Sequence, residues 1–478
     1  MNTHPIVIQG GMGVAVSNWK LARCVSQSGN LGVVSGTALD TVLVRRLNDG
    51  DPDCHMRRAL AAFPFPHVAE WILTKYYKPF GRKPGGRYQS VPMPTGTLVP
   101  TKEQVWTVVA GCFCEVWLAK HGHNGMVGIN LLEKIQSPLH NISLFGAMLA
   151  GVDYVLMGAG IPRQIMGVLT GLAAGEVTSY EVDMEEADGS VSTAERVEFD
   201  PELYDMSRLP HPLRKPKFLA IVSSDTLAKF LAGKVDGYVI EGPNAGGHNA
   251  PPRKKGVFNE HGEPEYGPKD VPNLEVIAEL GMPFWLAGEY NTPEQLQAAL
   301  AVGATGIQVG TGFALSEDSG LDPAIRAQIR RLAYNGELKI YRDGRASPTG
   351  YPINIPSLEG TNSDPALYLE RDRVCNLGYL RTPYRKSDGT IGFRCPAEPV
   401  DEYLKKGGKE EDTVGRKCIC NGLCAVVGKA QVAKGGDSFE RPIATLGKDV
   451  SFLPRIMRDE DDCYTAEEFL AFLLGTPA

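Results

Sequence analysis

One of the chain's nine histidines lies in the run GYVIEGPNAGGHNAPP, Gly237 to Pro252. An apolar segment leads into a glycine-rich turn, and His248 follows directly on Gly246 and Gly247. An imidazole two glycines beyond a strand end has little steric shielding and exchanges protons near neutral pH, so His248 is the candidate general base or acid. A lone loop histidine more often only satisfies a backbone carbonyl; the AGGH context argues for chemistry. Two other runs, LAGE (Leu286–Glu289) and QVGTGF (Gln308–Phe313), end apolar segments in small residues. Small residues let backbone amides approach a ligand closely. Gly288, Gly310 and Thr311 are therefore placed to cradle a phosphate, with a short helix expected to start at Ser316-Glu317-Asp318. Taken singly, such glycines merely close tight turns; the pair in consecutive loops favours a phosphate.

A phosphate site without a lysine-bearing nucleoside-triphosphate loop fits flavin mononucleotide (FMN) better than a triphosphate. The stretch GGMGVA (Gly10–Ala15) would then lie against the flavin ring, with Gly11 beside it and the Met12 amide as a donor that tunes its electronics.

These residues need elements to hold them. Eight short apolar runs, most of them ending in glycine or a small polar residue, lie at 5–10, 31–36, 127–132, 152–158, 218–224, 237–242, 284–288 and 306–313. Helical patterns lie between most of them, as at 17–28, 225–232, 274–280 and 292–302, the last opening with Thr292 and Pro293. Strand and crossover in alternation predict a parallel (β/α)8 barrel of the TIM type, whose chemistry sits at the C-terminal ends of the strands. An open doubly wound sheet is the alternative.

The barrel is expected over residues 1–350, with insertions at about 63–125 and 174–216. A cysteine-containing extension follows over 351–478, a small C-terminal cap. The first insertion reads as a lid in which Lys75, Lys78, Arg82, Lys83 and Arg87 alternate with Trp71, Tyr76, Tyr77, Phe80 and Tyr88. It is either a solvated lid or a docking patch for an acidic carrier such as an acyl carrier protein. The second reads as an acidic β-hairpin turning at ADGS. The extension carries CICNGLC (Cys418, Cys420, Cys424) downstream of Cys375 and Cys395, then Cys463. Buried reduced thiols explain these better than zinc or an iron–sulfur cluster, because the spacing matches neither standard pattern, and no metal is expected. Near the C-terminus, Thr465 and Glu468 form a capping box.

With a net charge of −7 and a pI near 5.8, the chain suits neither nucleic acid nor an anionic membrane. No run approaches a membrane span, and the start MNTHPIVIQGG has no secretory pattern. A cytoplasmic, reduced enzyme is expected, and a homodimer is one compatible arrangement.

IQGGMG, LGVVSG, GINL, AGGH, LAG and QVGTGF occur in the order seen in nitronate monooxygenases, once called 2-nitropropane dioxygenases. Outside the insertions, residues 5–350 resemble that family, whose barrel is shared by FMN-dependent enoyl-acyl-carrier-protein reductases. The resemblance implies an FMN-dependent oxidoreductase that oxidises alkyl nitronates with O2. The branch alternative is NAD(P)H-dependent enoyl-thioester reduction, and a third reading is a non-catalytic FMN-binding sensor. The resemblance makes His248 catalytic and gives FMN contacts to Asn130, Glu241, Gly246, Gly247, Gly288, Gln308, Val309, Gly310 and Thr311. Where the family commonly has glutamine this chain has Glu241, whose charge would disfavour an anionic reduced ring. Pro251 and Pro252 stiffen the loop beyond His248 and narrow the approach on that side.

Overall fold

The computed structural model describes residues 4–93, 95–190, 194–207, 209, 211–254, 256–432 and 440–476. Each of the eight apolar runs contains a strand: β1 (Val7–Gln9), β2 (Leu31–Ser35), β3 (Val127–Leu132), β4 (Tyr154–Gly158), β5 (Lys217–Val222), β6 (Gly237–Glu241), β7 (Phe284–Ala287) and β8 (Gly306–Val309). All pair in parallel with their neighbours in sequence, and β1 pairs with β8 through Val7↔Ile307, so the sheet closes into a barrel rather than staying open. Alternate residues fill its inside: Ile8, Val33, Leu156, Leu219, Val239 and Trp285 form one buried cluster. The Trp285 indole donates to the Pro5 carbonyl at 2.8 Å, closing the N-terminal end and leaving the opposite mouth for a ligand.

The last strand is shorter than its apolar run, because Thr311–Ala314 already forms a helical turn. No helix starts at Ser316-Glu317-Asp318, contrary to expectation. Those residues lie in turns, and Glu317 is held by Arg326 at 2.9 Å and Arg330 at 2.6 Å. Both arginines belong to the helix Pro323–Tyr334, which starts later because Asp322 caps it and Pro323 fixes its first turn.

Within 63–125, the helix Lys102–Lys120 packs on Trp19–Gln27, Leu39–Asn48 and His140–Leu149, and so belongs to the outer layer of the barrel. The aromatic–basic run ahead of it is largely self-satisfied. Lys75 sits 4.4 Å over the Trp71 ring, and Arg82 stacks 3.5 Å from Tyr88 while bonding Asp49 at 2.9 Å. Lys83 and Arg87 remain exposed. In the second insertion Thr178–Val182 and Glu195–Phe199 pair antiparallel, as a hairpin requires. The ADGS turn is described, but residues 191–193 lie outside the described residues.

The extension runs back over the barrel. Its strand Ile353–Pro356 pairs with Ile340–Asp343 and with Gly247–His248, bringing the C-terminal part of the chain onto the histidine loop. The terminal helix Ala466–Leu474 has the expected capping box at Thr465 and Glu468. The ten cysteines are free, and among the described residues no group of three or more His, Cys, Asp or Glu is arranged to hold a metal ion. No described helix is long and apolar enough to cross a membrane.

Candidate active site

The C-terminal mouth of the barrel opens into one cavity. Gly11, Met12, Asn130, Glu241, Gly246, Gly247, His248, Gly288, Gln308, Val309, Gly310 and Thr311 all line it. They come from β1, β3, β6, β7 and β8 or the loops that follow, so barrel closure alone brings them together. Asn130 donates its side-chain amide to the carbonyls of Leu131 and Leu156 at 2.9 and 3.2 Å, which fixes its rotamer. Gln308 lines the cavity, and its Oε1 is buried with no partner among the described residues. Gly288 has φ +90°, a backbone that side chains other than glycine rarely adopt. Met12 differs from expectation: its amide already donates to Ser17 Oγ at 2.7 Å, so only its side chain is offered to the cavity.

His248 is less open than its sequence setting implies. The strand Ile353–Pro356 covers it on one side, and its Nε2 lies 2.6 Å from Ser347 Oγ, which in turn meets Thr349 Oγ1 at 2.8 Å. The loop before it is clamped as well. Asn354 donates to Ala245 O at 2.7 Å, and Arg342 donates to Pro243 O and Asn244 Oδ1 at 2.8 and 2.7 Å. Burial lowers the imidazole pKa to about 4, a large displacement where a nearly ordinary value was expected. At neutral pH the ring is therefore an uncharged base. Ser347 holds Nε2, leaving the other ring nitrogen without a protein partner among the described residues.

Ser347 thus acts as a positioning residue for His248. Ser347→Ala should cost about 3–10-fold in turnover, the worth of one net hydrogen bond of ~0.5–1.5 kcal/mol. Nitrogen NMR of the ring should change from one tautomer to a mixture. An unchanged tautomer in a slower variant would assign Ser347 to packing alone.

Glu241 changes most between sequence and structure. It is half-buried at the end of β6, and no described group bonds its carboxyl. Desolvation pushes its pKa up to about 8. At neutral pH this makes it mainly a neutral acid, not the carboxylate that the sequence suggested. An acid raised to about 8 and a base lowered to about 4 share one cavity. Such a separation is the condition a proton donor and acceptor in one site would need.

The sequence pattern did not reveal the roof. Ile353, Tyr379, Leu380, Ile419, Cys420 and Leu423 from the extension line the cavity opposite the strand ends. The CICNGLC run was conspicuous for its thiols, yet what it gives the site is mostly apolar surface. Tyr379 is anchored by donating to the buried Asp40 at 2.6 Å. Gly447 closes the end near Thr311, its amide donating to Thr311 Oγ1 at 2.9 Å; a Cβ there would stand 2.9 Å from that oxygen.

Residues 218–343, from β5 through the strand Ile340–Asp343, match the sequence model of the nitronate monooxygenase family. The match identifies an oxidoreductase. No curated protein sequence matches the chain significantly. Among solved structures, FabK from Thermotoga maritima aligns with 99% of this chain and 92% of its own, at 16% identity and a TM-score of 0.47. A nitroalkane oxidase from Streptomyces ansochromogenes aligns with 98% of this chain and 95% of its own, at 13% identity and a TM-score of 0.43.

Proposed function

We propose that this chain, an oxidoreductase matched to the nitronate monooxygenase family over residues 218–343, binds FMN at the barrel mouth and oxidises alkyl nitronates with O2. The observation that carries the reading is the convergence of His248, the glycine loops of β7 and β8 and the orphaned Gln308 acceptor on one cavity. These residues fit a flavin. Gly288, Gly310 and Thr311 would hold its phosphate, Gly11, Met12 and Asn130 would flank the ring, and Gln308 Oε1 would accept from a ring N–H. Glu241, Gly246, Gly247 and Val309 would complete the contacts. When bound, FMN supplies the electron acceptor that the chain's own side chains cannot.

The protein's part is to bind, orient and move protons. With Nε2 held by Ser347, the other nitrogen of His248 is free to take the carbon proton of a nitroalkane or to orient a nitronate already formed. Burial keeps the imidazole uncharged above about pH 4, so its lone pair is available across the physiological range, while the same desolvation makes it a weaker base than a free imidazole. The roof of Ile353, Leu380, Ile419 and Leu423 excludes water and favours an alkyl substituent. The same apolar roof would suit an acyl chain, which is what favours enoyl-thioester reduction with NAD(P)H as the second reading.

Purified protein should be yellow, with about one noncovalent FMN per chain. Anaerobic mixing separates the readings: a nitronate should bleach the flavin, whereas bleaching by NADH or NADPH followed by turnover of an enoyl thioester supports the reductase. Failure of every donor supports a binding protein without turnover. Colourless protein that takes up no added FMN overturns the flavin reading.

A further inference from the structure

Glu241 is the one residue that lines both the central cavity and a smaller neighbouring one, bounded by Ser223, Ser224, Pro251, Arg253, Tyr266 and Asp270. Its carboxyl has no bonding partner among the described residues. Among the described residues the central cavity is lined by no lysine or arginine, and by Glu241, Glu289 and His248 as ionisable acids or bases apart from Tyr290, Tyr379 and Cys420. A nitronate is an anion, and such a cavity offers it no cation. A protonated carboxyl is then the strongest side-chain donor available, and a group reached from a second cavity can exchange its proton without crossing the substrate.

We infer that Glu241 is a second catalytic residue, whose carboxylic acid donates a hydrogen bond to the nitro oxygens and so seats the substrate anion in place of a cation. The inference rests on the nitronate reading above. As His248 takes the carbon proton, the C–H electron pair becomes the C=N bond and one N–O π pair moves onto oxygen. The Glu241 O–H points at that oxygen and keeps its own proton; the proton gained by His248 returns to solvent. A carboxylate in the same place would repel the anion, so the seat should be lost once Glu241 ionises.

The groups facing Glu241 are His248 and Arg253 from its own loop, Glu289 and Tyr290 after β7, and Tyr266 and Asp270 across the smaller cavity. The imidazole is already neutral above about pH 4, and Tyr266 is pushed up to about 12 by burial. Between pH 6.5 and 9.5 the transition near 8 is therefore assigned to Glu241.

The test is calorimetric binding of nitrate, a planar anion that does not react or titrate, to the yellow holoenzyme across that range. Wild-type affinity should be constant below pH 8 and then fall by about tenfold per unit, the slope for loss of one proton. Glu241→Gln keeps a donor that cannot ionise, so it should bind nitrate at pH 7 about as well as wild type and show no alkaline fall. Glu241→Ala should bind weakly at every pH. Nitrate affinity that does not change with pH in wild type, an alkaline fall that persists in Glu241→Gln, or no nitrate binding at pH 6.5 overturns the inference. Each of these is read on flavin-loaded protein, so it is distinct from a failure to bind FMN.

Discussion

Replacing His248 with asparagine is expected to slow turnover of a neutral nitroalkane by about 10²–10⁴-fold, the usual contribution of a positioned general base. That corresponds to about 3–5 kcal/mol of transition-state stabilisation. Preformed nitronate needs no carbon deprotonation, so the loss there should be far smaller. Flavin content should hold, because the glycine loops and Gln308 are untouched. Asparagine retains a donor for Ser347 and approximates the ring's size, so the loop clamped by Arg342 and Asn354 should keep its shape. In the reductase reading the pattern differs: flavin reduction by NAD(P)H survives and protonation of the enoyl product is lost. Wild-type rates on all three substrates would make His248 a structural residue.

Phe469→Ala should be the most damaging change away from the chemistry. Phe469 is fully buried and packs edge-on against Phe313 with ring centres 5.0 Å apart, and against Phe452 and Tyr464 at 5.4 and 5.8 Å. Truncating a buried phenylalanine costs about 3–5 kcal/mol, a large fraction of a typical stability of about 5–15 kcal/mol. Phe313 lies in the turn of helix that follows Gly310, so the cavity should open directly beside the proposed phosphate contacts. Flavin release, followed by its fluorescence on heating, should therefore precede loss of helical signal by a wider margin than in wild type. Coincident and unshifted transitions would mean that the terminal helix contributes little to the site.

The strand ends were readable because the barrel strands are largely buried on both faces and most stop at a small residue that a ligand or a tight turn requires. Gly242, Gly288 and Gly310 mark three of these ends directly. The helix Lys102–Lys120 was hidden for the opposite reason. It is enclosed by several other helices and buried on nearly every side, so no periodic stripe sets it apart from the run around it. The roof was hidden because Tyr379, Leu423 and Gly447 reach the mouth through contacts far apart along the chain, with no period to announce them. Ser347 sits 99 residues beyond its histidine, in a turn whose composition resembles any other. Ionisation was the least legible property: Glu241 and His248 depart from ordinary values through burial that only the closed barrel creates.

Barrel closure also sets the order in which this molecule can assemble. β1 can pair with β2 early, but its other edge waits for Ile307 and Gln308 at the far end of the barrel sequence. Parallel pairs joined by long crossovers form slowly, since chain closure is an entropic cost met before the contacts that reward it. The roof comes later still, because Leu446 and Gly447 must find Asn354 and Thr311 on strands and loops already in place. Until then the apolar edge of β1 is exposed, a site for mispairing during synthesis that the N-terminal position of the strand prolongs. The proposed flavin seat is thus complete only when distant parts of the chain have met, so the gain of flavin by a refolding population should report that last docking and not collapse.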